Sequence, residues 1–166
     1  MTTSFHSASL GVFVRMLTNL QGIMAKAEAY AAERKFNPDV YVGMRLAPDM
    51  HSFAFQIQNG TDRAKLFAGR VSGEAPPSWP DTEKTWSELK ERLQKALDFL
   101  KGIDAGRIDG KEAAMIPLRV NGESVEWAAE DYLLTNALPN FYFHVTTAYN
   151  LLRHAGVPLG KRDFTG

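Results

Sequence analysis

The sequence predicts an all-α protein, a four-helix bundle in which one long crossover connects helices three and four. Four segments repeat apolar residues at steps of three and four, the pattern of amphipathic helices that pack around a shared core. Roughly 30 residues separate the third segment from the fourth, too many for a tight turn between neighbouring helices. Asn121-Gly122 lies in this connection between two short apolar-polar runs, and it predicts a small hairpin or extended excursion near residues 114–125.

The first predicted helix covers residues 8–34. Its apolar stripe comprises Leu10, Phe13, Val14, Leu17, Leu20, Met24 and Ala31. We expect it to end near Asn37-Pro38, because proline disfavours helical backbone both in itself and in the residue before it.

The second predicted helix begins at Pro48, because a proline lacks the N–H that would be unpaired in the first turn anyway. Its stripe comprises Met50, Phe53, Ala54, Ile57, Ala64 and Phe67, and we expect it to end near Gly73. Gly60 weakens its middle by about 1 kcal/mol relative to alanine, so a bend is expected there.

The third predicted helix follows a loop from Gly73 to Pro80 that contains three prolines. Asp81 or Thr82 is the expected cap, since both side chains accept hydrogen bonds from the free N–H groups of a first turn. The stripe comprises Trp86, Leu89, Leu93, Leu97 and Leu100. Gly102 and Gly110 delimit the segment that breaks this helix.

The fourth predicted helix opens at Pro139, after a short helix expected from Trp127 to Asn136. Its stripe comprises Phe141, Val145, Ala148, Leu152 and Ala155. The sequence Gly156-Val157-Pro158 ends it, because glycine and proline are typical of helix C-termini.

Charge and composition exclude several classes of function. The 166 residues carry 19 Lys and Arg against 19 Asp and Glu, which argues against a nucleic-acid binder. The chain has no cysteine, so it forms no disulfide, thiolate zinc site or cysteine nucleophile. No apolar run approaches membrane-spanning length and the N-terminus lacks a basic region, so we expect one cytoplasmic domain over residues 1–166 that makes no contact with a membrane.

The histidines are the first candidates for a functional site. His144 lies close to the apolar stripe of the last helix, so it is expected to point inward. It is either a core histidine bonded to a carbonyl, hydroxyl or water, or a metal ligand or acid/base group. His51 lies about 100° from the stripe of helix two, and Asp49 lies on the opposite flank, so the two cannot both face one site. We treat His6 and His154 as surface residues.

Other candidates are polar or aromatic side chains near the ends of helices. Arg45 and Asp49 bracket a turn and suit a local ion pair. Asp49, Asn140 and Tyr149 are candidate pocket residues. The run Phe141-Tyr142-Phe143 covers about 200° of a helical wheel, so at least one ring should meet another helix, the tail or a partner subunit.

The last helix and its tail resemble a known family. The matching segments are Asn140–Tyr149, Leu152–His154, Gly160–Phe164, Phe13–Arg15, Asn19-Leu20, Arg45–Met50 and Glu130–Leu134. They resemble an uncharacterised bacterial domain-of-unknown-function branch of the DinB-like, YfiT-like superfamily, over nearly the whole chain.

The resemblance implies a four-helix bundle with one long crossover, often dimeric. It also implies a divalent metal held by one histidine of helix two and a His-x-x-x-His pair on the last helix. His144 matches the first histidine of that pair and His51 stands near the helix-two position, but Ala148 occupies the third. Catalytic zinc-type sites normally have three protein ligands, so the match implies a degenerate centre for zinc or nickel.

Three classes of function follow from these observations. The first is a small-molecule-binding or cryptic bundle with a degenerate metal centre, forming a homodimer. The second is a metal-dependent enzyme, similar to thiol-dependent transferases or isomerases of the superfamily, using His144 and His51 with a carboxylate and water. The third is a structural or partner-binding protein, whose signature would be an exposed aromatic patch at Tyr142 and Phe143 without an adjacent pocket.

Overall fold

A computed structural model of the protein describes residues 3–120 and 122–166. The helices within these ranges are α1 Phe5–Ala8, α2 Leu10–Glu33, α3 Phe53–Ser72, α4 Trp86–Gly102, α5 Ala129–Tyr132, α6 Leu138–His154 and α7 Lys161–Thr165. The two strands are β1 Met115–Val120 and β2 Glu123–Ala128. Short 3-10 turns at Pro38–Tyr41 and Ala105–Arg107 and a π-helical segment at Leu133–Ala137 complete the order. The long helices α2, α3, α4 and α6 form the predicted bundle, with the long crossover between α4 and α6.

Aromatic side chains join three of these helices in the core. The Phe13 ring of α2 lies 5.6 Å from Phe67 of α3 and 4.9 Å from Phe141 of α6, measured between ring centroids. All three side chains are fully buried. The apolar stripes predicted for the four helices supply most of this core, because a helix with one apolar face is stable only when that face is covered.

The crossover contains the predicted hairpin. Strands β1 and β2 pair antiparallel, with Met115 opposite Ala128 and Leu118 opposite Val125. Ile116 and Leu118 turn inward and are buried, so the hairpin covers part of the helical core. Gly122 has a φ of 88°, as the predicted turn requires, while Asn121 lies outside the described residues.

The second long helix starts later than the sequence predicts. Pro48 lies in a turn closed by a hydrogen bond from the Met50 N–H to the Ala47 carbonyl, and α3 begins at Phe53. Asp49 and His51 therefore precede the helix, and the helical-wheel angles assigned to them do not apply. A proline suits a turn as well as a helix start, which is why the sequence signal misleads here.

Two other boundaries differ from the prediction. Thr85, rather than Asp81 or Thr82, caps α4 through a capping box with Glu88. Trp127 belongs to β2, and the short helix expected from it is instead α5, which continues through the π-helical segment into α6. The β-propensity of Val125 and Trp127 fits the strand.

Two glycines of α3 allow close approach by neighbouring segments. A Cβ placed on Gly60 would lie 3.6 Å from the Cβ of His144, an ordinary contact, so α3 and α6 pack closely there. A Cβ on Gly69 would lie 2.8 Å from the Glu74 carbonyl oxygen, closer than real Cβ atoms come. Gly60 also leaves α3 continuous, so the bend expected at this residue does not break the helix.

A buried ionic cluster attaches the proline-rich loop to α3 and α4. The Arg92 guanidinium lies 2.9 Å from carboxylate oxygens of Asp62, Asp81 and Glu83. Lys65 lies 2.7 Å from Asp62. Arg92 is only 2% exposed, so its charge is stable in the core only because these carboxylates compensate it.

Within the described ranges, no helix combines the length and apolarity that crossing a bilayer requires.

Candidate functional site

His144 lies buried between α6 and α3, as the sequence predicts. Its Nδ1 is 2.8 Å from the Oε1 of Gln56, and the Nε2 of Gln56 donates to the His51 carbonyl at 3.1 Å. Because the carbonyl binds the amide nitrogen, the amide oxygen faces the ring and only accepts. Nδ1 therefore carries the proton, and Nε2 holds a lone pair available to a ligand.

The imidazole of His144 is neutral at physiological pH. Burial, the positive charge of Arg63 and the proximity of His51 together lower its pKa to about 4, and burial has the largest effect. A neutral ring with one nitrogen engaged acts as a hydrogen-bond acceptor through the other nitrogen.

His51 lies at the same end of the α3–α6 seam. Its ring stacks on Phe55, with centroids 3.8 Å apart and planes 17° apart. Phe55 in turn makes an edge contact with His144 at 6.0 Å. Phe55 thus contacts both histidines, and His51 remains exposed to solvent.

The residues present do not fit a closed metal site. Across residues 3–120 and 122–166, no group of three His, Asp or Glu side chains converges closely enough to hold one cation. Nε2 of His144 is free to act as a single ligand, but His51 is stacked on Phe55 and no third His, Asp or Glu among the described residues joins them. His144 and His51 therefore remain an incomplete ligand pair for zinc or nickel.

The other predicted site residues lie in separate places. Asp49 is exposed in the turn before α3, and Arg45 binds the Met50 carbonyl rather than this carboxylate. Tyr149 packs its ring against Phe164 of α7 at 5.8 Å. Asn140 alone of the three candidate pocket residues lines a polar cavity in the α3–α6 seam.

This cavity reaches α6 at Asn140, one helical turn before His144, which is not part of its lining, and it has a volume of about 310 Å³. Its lining comprises Arg63 and Arg70 of α3, Leu118 and Arg119 of β1, Tyr132, Asn136 and Asn140. Six of these seven side chains carry polar groups, so a ligand here would be held by hydrogen bonds and charge rather than by apolar contact.

Two pairs of hydrogen bonds organise the cavity wall. Arg70 donates from Nη1 to the Tyr132 hydroxyl at 2.7 Å, and Asn140 donates to the Asn136 carbonyl at 2.8 Å. Arg63 has a buried Nε without a hydrogen-bond partner in the part of the chain that the structure describes. Unpaired buried donors are rare in proteins and are commonly satisfied by water or a ligand.

The aromatic run on α6 is divided between two environments. Tyr142 lines a separate cavity of about 320 Å³ with Arg15 and Phe164, whereas Phe143 is 56% exposed. A structural or partner-binding protein was expected to expose Tyr142 and Phe143 without an adjacent pocket. Tyr142 does not meet this expectation, because it lines a cavity.

The prediction from the sequence omitted Arg63, Arg70, Arg119 and Asn136, and it included Tyr132 only within the segment Glu130–Leu134 without a role in a site. The spacing of these residues in the sequence indicates part of the cavity wall, because Arg63 and Arg70 are seven residues apart and therefore lie on the same face of a helix. Asn136 and Asn140 are four residues apart, about one helical turn, and also lie on one face. The contribution of Arg119 depends on where the hairpin packs, which no local pattern indicates.

Comparisons with known proteins agree with this fold. A domain of unknown function, DUF1993, matches residues 5–165. The crystal structure of a DinB family member protein from Shewanella denitrificans is similar with a TM-score of 0.88 and 35% sequence identity, covering 97% of this chain and 91% of that chain. A comparison with curated proteins gives no match.

Proposed function

The chain belongs to the DUF1993 family of DinB-like helical bundles, and from this premise we propose that it binds a small polar molecule in the cavity between α3, α6 and the hairpin. The observation that carries the proposal is the cavity itself, which is lined by six polar side chains contributed by α3, β1, α5, the π-helical segment and α6. Its volume of about 310 Å³ lies at the lower end of the range found for small-molecule sites.

The wall supports the proposal because much of it is rigid. Arg63 and Asn140 project from α3 and α6, whose contact is fixed by the close approach at Gly60. Side chains on packed helices hold their geometry better than side chains on loops, so less ordering is needed when a ligand binds. His144 adds a neutral acceptor, Nε2, at the end of the same seam.

A fragment screen observed by NMR tests this function. Neutral and charged fragments are added to protein whose side-chain amide signals of Asn136 and Asn140 are assigned. We expect some fragments to shift these signals saturably, and to lose this effect in N140L, which replaces a polar wall by an apolar one. Gln94→Leu, on the exposed face of α4, is the matched control and should bind as wild type. If no fragment shifts the two amides, the proposed function is wrong.

A metal-dependent enzyme that uses His144 and His51 is the second candidate. The shared contact of both rings with Phe55 favours it, because it brings the two imidazoles to one end of the seam. Elemental analysis of protein purified without a nickel column tests it. Less than about one-tenth equivalent of zinc, nickel, manganese or iron would exclude this candidate, since a functional metal site is largely occupied.

We also propose a homodimer, supported by the exposure of Phe143 on α6. Large apolar side chains that are exposed on one helix face are typical of subunit interfaces. Light scattering should give twice the chain mass for the wild type and the monomer mass for F143S. A monomeric wild type would exclude the dimer.

A further inference from the structure

We propose that the cavity in the α3–α6 seam recognises an oxyanion, the carboxylate or phosphate group of its ligand, through Arg63, Arg70 and Arg119. This inference rests on the proposed function and specifies the chemistry of the ligand. The cavity contains three guanidinium groups and no carboxylate in its lining.

The arginines of the cavity, of which Arg63 is partly buried and Arg70 and Arg119 are exposed, differ from the buried Arg92. Arg92 is neutralised by three carboxylates within 2.9 Å. Among the described residues, Arg63, Arg70 and Arg119 form no ion pair within 4 Å. Three unpaired cations around one small volume repel one another, and an anion between them removes that repulsion.

The remaining donors suit an oxyanion as well. The Tyr132 hydroxyl accepts its hydrogen bond from Arg70, so its own proton is available to a second partner. The buried Nε of Arg63 is a further donor without a partner in residues 3–120 and 122–166. Guanidinium groups bind carboxylate and phosphate oxygens in a bidentate manner, which gives both affinity and orientation.

An acidic residue in the neighbouring cavity bears on how the ligand is oriented. Glu126 of β2 lines a neighbouring cavity of about 500 Å³, which shares Arg70 and Arg119 with the first and also contacts Pro117 and Val125. The anion is therefore held at the Arg63 side, away from this carboxylate. The uncharged part of the ligand extends along the apolar surface of the hairpin.

The volume restricts the ligand to a small molecule. A cavity of about 310 Å³ has the volume of roughly ten water molecules. The formal charge of the whole chain is zero, so the chain lacks the surplus of positive charge that nucleic-acid binding requires.

Titration with two anions tests the proposal. Inorganic phosphate and succinate are added separately, at an ionic strength held constant with sodium chloride, while the side-chain amides of Asn136 and Asn140 are followed by NMR. We expect saturable shifts with at least one anion. R119Q and R63Q should each weaken binding by roughly tenfold or more, because each removes a charge-assisted contact. Arg153→Gln, an exposed change of equal charge on α6, should leave binding unchanged.

The two anions identify the source of the oxyanion, since a response to phosphate alone indicates a phosphoryl group and a response to succinate alone indicates a carboxylate. If R63Q does not fold, as judged by circular dichroism, the anion binding of R119Q alone tests the proposal. R119Q is expected to fold, because Arg119 is exposed on a strand and does not contribute to the core. Equal binding by R119Q and wild type, or no shift with either anion, would overturn the proposal. Neutral fragments that still shift Asn140 would then leave the proposed function standing.

Discussion

Nδ1 of His144 and Oε1 of Gln56 lie 2.8 Å apart across the seam between α6 and α3, although 88 residues separate them in the chain. Both side chains are buried, with 7% and 2% of their surfaces exposed. This hydrogen bond fixes the tautomer of the imidazole and leaves Nε2 as an acceptor. It also joins α3 and α6, which contribute Arg63, Arg70 and Asn140 to the wall of the polar cavity.

Removing one partner of this pair should cost more than removing both. H144L leaves the buried Oε1 of Gln56 without a donor, so we expect a loss of about 1–3 kcal/mol in unfolding free energy. The double variant H144L/Q56L should recover part of the loss, because no buried acceptor then remains. Urea unfolding followed by circular dichroism measures both. A single variant H144L that is more stable than wild type would show that the hydrogen bond contributes nothing.

The stability of the protein should depend on pH through His144. Its pKa in the folded state, about 4, lies below its ordinary value of 6.5. The unfolded chain therefore binds more protons between these two pH values, so stability is greatest above pH 6.5 and declines as the pH falls towards 4. The decline is at most about 1.4 kcal/mol per pH unit for a single group. Urea unfolding measures the free energy of unfolding at pH 7 and at pH 5, and the difference between these two values should be smaller for H144Q than for wild type. An equal difference in the two proteins would show that His144 does not cause this pH dependence.

Two alanine substitutions on α3 should act in opposite directions. Gly60→Ala places a methyl group at an ordinary 3.6 Å from His144, and alanine favours helix by about 1 kcal/mol over glycine, so thermal unfolding should be unchanged or raised. Gly69→Ala places it 2.8 Å from the Glu74 carbonyl and 2.9 Å from Pro76, so the melting temperature should fall. Equal effects at the two sites would mean that the proline-rich loop does not pack on Gly69.

The buried Arg92 cluster should contribute far more to stability than an exposed ion pair. R92L leaves the carboxylate of Glu83 without its cation and leaves Asp62 with Lys65 alone, and we expect a loss of about 3–5 kcal/mol. Lys90→Met, which breaks the exposed pair with Glu28, should cost less than about 1 kcal/mol. Chemical unfolding of the two variants makes the comparison. Similar losses would show that the proline-rich loop is not held by Arg92.

The four-helix bundle, its long crossover and the hairpin were predictable from local sequence patterns. The apolar stripe on α4, from Trp86 to Leu100, shows the reason. Apolar residues repeated every 3.6 positions lie on one face of an α-helix, and that face is buried in the core. The start of α3 was predicted wrongly. Pro48 and the residues around it favour a turn and a helix equally, and tertiary hydrogen bonds from Phe53 to Met44 and Ala54 to Val42 decide between them.

The candidate site was predictable only in part. The inward position of His144 follows from its place beside the apolar stripe of α6. The position of the arginines in the cavity cannot be predicted in this way, because helix periodicity places polar residues such as Arg63 and Arg70 on the face exposed to solvent. They line a cavity only because the hairpin packs over α3 and brings Arg119 beside them, and that packing depends on the whole fold.

The most direct test is a crystal structure of the protein soaked at neutral pH with a fragment or anion that shifts the Asn140 amide. We expect electron density for that molecule in the α3–α6 seam, within hydrogen-bonding distance of Arg63 and Asn140. Density bound elsewhere, with the seam closed by Arg119 paired to Glu126, would contradict it.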